Sequence, residues 1–105
     1  MHIQVVNFNL KDMTEKEFRQ MCDELAPTFA KIPDLISKVW LADPVTNSYG
    51  GVYSWRDRDA WEAYTKSKLF QAIGTNPHLA NITSRDFAVM EGPTRVTNGL
   101  IAVDR

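Results

Sequence analysis

The chain has 105 residues, a net charge of −1 and an apolar content of 44%, values that suit one globular domain. The near-neutral charge, with no basic run, argues against nucleic acid or an anionic membrane as a partner, and we see neither a signal peptide nor an apolar stretch that could span a bilayer. Cys22 is the single cysteine, which excludes an internal disulfide and favours a cytoplasmic protein.

The first predicted elements are a strand and a helix. Successive side chains of a strand over residues 3–10 would point to opposite faces, and each face would carry apolar residues. This pattern is typical of an inner strand. Thr14 and Glu17 form the T-x-x-E pattern of a capping box, so a helix begins there. We expect Pro27 to kink this helix or end it near residue 26, with a last turn running to about Lys31. The apolar stripe of the helix comprises Phe18, Met21, Cys22, Leu25 and Phe29.

A β-hairpin is predicted next. Its strands are residues 35–42 and 51–55, and the connecting segment contains Pro, Asn and paired Gly, the residues of turns. We interpret Gly50-Gly51 as part of this turn, because the lysine and hydroxyl residue of a phosphate-binding loop are missing.

A second helix and a fourth strand complete the pattern. Asp57 is the expected cap of a helix whose apolar stripe extends to Ile73, and Gly74 to Pro77 end it. A strand is expected over residues 82–91, closed by Gly92-Pro93. We predict one domain over residues 1–92 and a tail over 93–105 that forms an arm or a short extra strand at a dimer interface.

The order of these elements indicates an α+β, ferredoxin-like βαββαβ fold with a four-stranded antiparallel sheet. Both helices of this fold cover one face of the sheet, and the first strand is apolar on both faces. An uncovered apolar sheet would exceed the patch that monomers tolerate, so we expect a homodimer. The alternative is that the first helix and the tail cover more of the sheet.

Three short segments carry a resemblance to a known family. Lys38-Val-Trp40, Gly50-Gly51-Val-Tyr53 and Ala63-Tyr64 resemble the YdhR-like monooxygenases of the dimeric α/β-barrel superfamily. The segment from Ser54 through Phe70 resembles the antibiotic-biosynthesis monooxygenases of the same superfamily, and the likeness covers residues 3–91. Pro33-Asp34 departs from the Pro-Gly usual in the family.

The resemblance implies a barrel-like dimer with a pocket in each subunit between sheet and helices. It further implies oxidation of a small aromatic or quinol-like substrate with O2 as co-substrate, without metal, flavin or haem. A haem-degrading branch of the superfamily carries a Trp on the second helix and a haem-ligating His ten residues later. Those positions are Tyr64 and Gly74 here, so haem is not expected.

Aromatic residues are the conspicuous candidates for such a pocket. Rings could form a wall for a flat substrate, with indole N–H and phenol O–H groups as orienting donors, although any single ring could equally be core. The resemblance favours Trp55 and Tyr64 as catalytic residues. The expected substrate-binding residues are Trp40, Tyr53, Trp61 and Phe87.

Two polar residues complete the predicted catalytic set. Asn7 lies mid-strand, where Asn is disfavoured and costly to bury, so we expect it to point into a cavity unless neighbouring backbone satisfies it. His78 follows Pro77 in a predicted loop and could act as a base if the loop folds inward, the alternative being solvent exposure. His2 looks like an ordinary terminal residue, and two distant His with one Cys do not make a metal site.

The primary hypothesis is therefore a cofactor-independent monooxygenase. Haem binding stays open as one alternative, because His78 lies one turn beyond Gly74. Two further alternatives remain open on the same fold, since fold does not determine function. One is a non-catalytic or stress-related dimer that binds small molecules. The other is a lyase, isomerase or cyclase that uses a titrating His or Tyr.

Overall fold

In the computed structural model, which describes residues 1–100, four antiparallel strands form one sheet in the order β2-β3-β1-β4. The strands are β1 (His2–Leu10), β2 (Leu35–Asp43), β3 (Ser48–Trp55) and β4 (Leu79–Ala88). The helices are α1 (Glu15–Ala30), α2 (Arg58–Thr65), α3 (Lys68–Thr75) and α4 (Glu91–Val96). The βαββαβ order and the antiparallel sheet confirm the ferredoxin-like prediction. None of the helices in residues 1–100 is long and apolar enough to cross a membrane.

The predicted capping box begins α1. The Thr14 side chain accepts a hydrogen bond from the Glu17 amide at 3.1 Å, and the Glu17 carboxylate accepts one from the Thr14 amide at 3.0 Å. The helix continues through Pro27 to Ala30 and is capped by Lys31, so the expected last turn is present. Pro27 has no N–H, so the carbonyl of Asp23 lacks its usual helical hydrogen bond. Both residues are exposed, and water can donate to this carbonyl instead.

The hairpin is confirmed, but the interpretation of Gly50-Gly51 as turn residues is wrong. Both glycines lie within β3, where Gly50 pairs with Asn7 and Gly51 with Val6. The turn is shorter and ends at Asn47, which adopts a left-handed conformation with φ of 53°. Gly50 can pair within β3 because it has no side chain to collide with the backbone of β1.

The second predicted helix is two helices. α2 ends at Thr65, and Ser67 caps α3 by accepting a hydrogen bond from the Phe70 amide at 3.2 Å. Asp57 caps α2 as expected. The chain breaks here because the Ser67 hydroxyl also donates to the Tyr64 carbonyl at 2.6 Å, which ends one helix and starts the next.

The end of the domain also differs from the prediction. β4 begins at Leu79 and ends at Ala88, three residues earlier than expected, because Leu79 pairs with Leu10 at the end of β1. The short helix α4 then occupies residues 91–96, so within the described tail a helix replaces the extra strand. Pro93 is tolerated in the first turn, where its missing N–H would have no helical acceptor. Residues 101–105 of the predicted arm lie outside the described residues.

The core lies between the helices and one face of the sheet, here called the helix face. Every second side chain of β1 and β3 is buried in this core, as the two-residue period of a strand predicts. These side chains pack against the apolar stripe of α1. The opposite side, here called the open face, is not covered by α1, α2 or α3. Its apolar side chains are Ile3, Val5, Val39, Leu41, Val52 and Phe87.

Candidate functional site

Six rings on the helix face form one connected aromatic cluster. At its centre, Trp55 lies 4.8 Å from Tyr64, and Tyr53 lies 5.4 Å from Tyr64, between ring centroids. Phe29 of α1 links this centre to Trp40, at 5.4 Å. The cluster comprises Phe29, Trp40, Tyr53, Trp55, Tyr64 and Phe70. Four of the five Trp and Tyr residues singled out from the sequence are therefore brought together.

Trp61 is the exception among them. Its ring lies against His2, with ring centroids 5.4 Å apart. The guanidinium carbon of Arg58 lies 5.8 Å from the centroid of the Trp61 ring. The indole N–H of Trp61 is buried and donates to no described residue. Trp61 therefore supports the first residues of β1 and makes no ring contact with the aromatic cluster within residues 1–100.

One end of the aromatic cluster opens into a cleft between α1 and the edge strand β2, here called the α1–β2 cleft. Two depressions of about 340 and 290 Å³ both border Ala26 and Trp40. A small interior gap of about 40 Å³ continues beneath them, with an almost wholly apolar lining that includes Cys22 and Phe29. The larger depression, of about 340 Å³, is at the lower end of the range that small-molecule pockets occupy.

Lys38 supplies the amine of this cleft. Its Nζ lies 3.5 Å from the ring centroids of both Phe29 and Trp40, and 4.6 Å from that of Tyr53. It pairs with Tyr53 across the sheet, which places its side chain on the helix face. Burial lowers the pKa of Lys38 to about 7, because the apolar surroundings disfavour the ammonium ion.

Lys38 lies in one of the segments that resemble the family, but it is not among the site residues predicted from the sequence. A usable signal was present: Lys38 lies two residues before Trp40 on a strand, so the two side chains share a face. A lysine on the buried face of a strand is rare enough to mark a candidate site.

The other end of the aromatic cluster borders a separate depression of about 310 Å³ between the Pro33-Asp34 turn and the α2–α3 break. Trp55 and Tyr64 form its floor, but their exposures are only 0% and 4%. These two rings therefore offer a substrate little surface from this side. Trp40, which is half-buried, is the more accessible ring.

The polar atoms of the buried rings are engaged internally. The Trp55 indole donates to the Gln4 side-chain oxygen at 3.1 Å, and the Gln4 nitrogen donates to the Ser84 hydroxyl at 3.1 Å. The expectation that Trp55 uses its N–H to orient a ligand is therefore not supported by its geometry. Neighbouring His2 is buried and lies 2.7 Å from the Asp86 carboxylate, so it is not an ordinary terminal residue.

The two tyrosines stay protonated at neutral pH. Desolvation raises the pKa of Tyr53 to about 12, and desolvation with the nearby Tyr53 raises that of Tyr64 further still. The Tyr64 hydroxyl donates to the Tyr53 oxygen at 3.3 Å. Tyr53 therefore keeps its own O–H as a donor, since no hydrogen bond to a described acceptor uses it.

Three other predicted site residues lie away from the aromatic cluster. Asn7 and Phe87 are on the open face, because Val6 occupies the helix face and alternation turns Asn7 outward. The ring Nδ1 of His78 donates to the Lys11 carbonyl at 2.9 Å, which holds it at the β1–α1 loop. Asn7 therefore points away from the helix face, and the His78 loop does not fold into the α1–β2 cleft.

No group of three or more His, Cys, Asp or Glu side chains within residues 1–100 is placed to hold a metal ion. Gly74, at the position where the resemblance sets a haem ligand, lies in α3 and has no neighbour within 4 Å of a notional Cβ.

Comparison with solved structures supports the fold. SnoaB, a cofactor-independent oxygenase from Streptomyces nogalater, is 22% identical, with a TM-score of 0.65 over 86% of this chain and 94% of that chain. A "putative antibiotic biosynthesis monooxygenase" from Deinococcus radiodurans is 14% identical, with a TM-score of 0.72 over 88% and 95%. The heme-degrader MhuD from Mycobacterium tuberculosis, solved with two hemes bound in its active site, is 15% identical, with a TM-score of 0.68 over 86% and 96%. At such identities the likeness shows a shared fold.

Comparison with family models is more specific. No curated protein sequence matches the chain. The model described as "Putative mono-oxygenase ydhR" matches residues 3–100, nearly the whole length. The protein therefore belongs to the ydhR family that this description names.

Proposed function

We propose that the protein is a cofactor-independent monooxygenase that binds a small aromatic or quinol-like molecule in the α1–β2 cleft. The observation that carries the proposal is the pairing of an accessible ring, Trp40, with the desolvated amine of Lys38 where the cleft meets its apolar interior gap. A flat aromatic substrate can stack on the ring, and an amine can stabilise the negative charge that forms when it is deprotonated. Family membership and the fold shared with SnoaB support this choice.

The proposed reaction needs no external reductant. A substrate with an acidic methylene group loses a proton, and the resulting carbanion supplies the electron pair that forms a C–O bond with O2. Loss of water from the hydroperoxide then leaves a carbonyl group. One oxygen atom enters the product and the other leaves as water, so the substrate provides all four electrons. The protein binds, orients and stabilises charge, which an apolar cleft with few polar groups can do.

Trp40 is the proposed substrate-binding ring, and Tyr53 and Tyr64 are buried behind it. Trp55 acts by packing against Tyr64. His78 has no role in the proposed reaction, because its ring is hydrogen-bonded to the Lys11 carbonyl away from the cleft. We also propose a homodimer formed through the open face. Asn7 and Phe87 would then lie at the interface between the two sheets.

The test is oxygen uptake with anthrone and a series of naphthols. We expect uptake by the wild-type protein and a KM for anthrone that rises several-fold, up to about tenfold, in Trp40→Ala, since a ring pair contributes ~0.5–1.5 kcal/mol. Val45→Ala is the matched control, because Val45 is 92% exposed in the β2–β3 turn and should change nothing.

Three outcomes would contradict the proposal. Binding without oxygen uptake would indicate a non-catalytic binding protein, and turnover of a substrate without oxygen would indicate an isomerase or cyclase. A Soret shift on addition of haemin, with haem-dependent oxygen uptake, would indicate haem chemistry instead.

A further inference from the structure

Lys38 is the one lysine in the described chain whose amine is surrounded by rings. Its Nζ touches the faces of Phe29 and Trp40 at 3.5 Å, and the small interior gap and the 290 Å³ depression both border it. It is half-buried, so the amine is reachable from the α1–β2 cleft without a change of fold.

No acidic group balances this amine within residues 1–100. Lys38 forms no hydrogen bond or ion pair with a described residue. The titratable groups that face it are Cys22 from α1 and Tyr53 from β3, and both have raised pKa values, so they are neutral near pH 7. Desolvation disfavours the ammonium ion, whereas the ring faces favour it. These opposing effects leave the amine able to hold or release a proton near neutral pH.

We propose that Lys38 is the base that removes the proton from the acidic C–H or O–H group of a substrate stacked on Trp40. This inference rests on the proposed function and assigns the proton acceptor of that reaction. Geometry favours Lys38 over His78, since Lys38 borders the cleft and His78 is bound to the β1–α1 loop.

The proton balance closes on Lys38. The neutral amine takes the substrate proton and becomes an ammonium ion beside the new carbanion. The electron pair of the carbanion forms the bond to O2, and the terminal oxygen of the peroxide takes the proton back. The hydroperoxide then loses water, the O–O bond breaks, and the amine is neutral again.

Anaerobic hydrogen–deuterium exchange at the methylene group of anthrone measures this step without oxidation. We expect the wild-type protein to accelerate exchange, with a rate that rises through pH 7 as the ammonium ion deprotonates. Lys38→Met should lower the catalysed rate by about 10²- to 10⁴-fold, the usual contribution of a general base. Lys38→Arg should lower it similarly, because a guanidinium group stays protonated.

The control is Lys16→Met, on the exposed side of α1, which should exchange at the wild-type rate. Binding of anthrone, followed by fluorescence quenching, checks that each variant still forms the complex. Exchange at the wild-type rate in Lys38→Met or Lys38→Arg would overturn the role of Lys38, as would a wild-type protein that binds anthrone without accelerating exchange.

Oxygen uptake by the same samples separates the two proposals. Exchange that depends on Lys38 but leads to no oxygen uptake contradicts the oxygenase and retains the base. Oxygen uptake that is equal in wild type and Lys38→Met contradicts the base and retains the oxygenase.

Stability provides a readout that does not involve a ligand. The pKa of Lys38 is lowered in the folded protein, so between about pH 7 and 10.5 the unfolded chain binds more protons than the folded one. The contribution of Lys38 to the free energy of unfolding therefore increases with pH over that range. We expect the difference in the free energy of unfolding between wild type and Lys38→Met to change with pH in the same way. A difference that is independent of pH would contradict the desolvated amine on which the proposal depends.

Discussion

Gly50 shows how a single residue can set the distance between two strands. Its φ is 155°, and a Cβ built there would lie 1.8 Å from the carbonyl oxygen of Val6 in the neighbouring strand. The obstacle is backbone, which cannot move aside without breaking the β1–β3 pairing. The glycine therefore permits a close approach that places Tyr49, Tyr53 and Trp55 in register with the core side of β1.

Gly50→Ala should destabilise the protein by ~3 kcal/mol or more, from strained backbone together with overpacking. Urea unfolding followed by circular dichroism measures the loss. The matched control is Gly74→Ala in α3, where nothing lies within 4 Å of the added Cβ and helix propensity should add ~1 kcal/mol of stability. Equal stabilities for the two variants would show that β3 can shift to accept a side chain.

At the scale of elements, the α2–α3 break positions part of the aromatic cluster. Ser67 bonds the last turn of α2 and caps α3, and Tyr64 and Phe70 on either side of it have ring centroids 5.1 Å apart. A single uninterrupted helix would present these side chains along one straight stripe. The break instead lets Phe70 pack against Tyr64, which in turn contacts Tyr53 and Trp55.

Ser67→Ala should lower the free energy of unfolding by ~1 kcal/mol, the usual cost of losing an N-cap. It should also change the near-ultraviolet circular dichroism, because Tyr64 is in contact with Trp55. Thr14→Ala is the control: it removes the cap of α1 at similar cost and should leave that spectrum unchanged. Identical spectral effects in both variants would contradict a specific role for the break.

At the scale of the whole molecule, the open face is a sheet surface on which Val39 and Phe87 are exposed. A row of valines crosses it, with Val52 paired to Val5 on one side and to Val39 on the other, and Val39 is 56% exposed. Two such faces related by a two-fold axis would cover each other. The proposed dimer follows from this exposure.

Sedimentation equilibrium should show a dimer for the wild-type protein. Val39→Glu should raise the dimer dissociation constant by at least ~10-fold, because each substitution occurs twice in a two-fold interface and buries an unpaired charge. Val45→Glu, in the exposed turn, is the control and should leave the constant unchanged. A wild-type protein that is monomeric at micromolar concentration would contradict the proposal.

Much of the fold was predictable because its signals act between near neighbours in the chain. The capping box of Thr14 and Glu17 and the 3.6-residue stripe of α1 lie within a few turns of each other. The alternation of β1 likewise depends only on its own residues. Such patterns determine element type and order, and the order of elements determines the ferredoxin-like topology. The aromatic composition of the candidate site was also visible in the sequence.

The tertiary structure decided what depends on residues far apart in the chain. Gly50 lies in a strand, and its lack of a side chain lets β1, over forty positions earlier, come this close. Lys38 becomes a candidate base because α1 and β3 bring Phe29 and Tyr53 around its amine. Asn7 and Trp55 were both identified from the sequence, yet alternation and packing place one on the open face and the other wholly in the core. The sequence by itself determined which elements form and which chemical groups are present, whereas only packing determined which groups lose water and which meet.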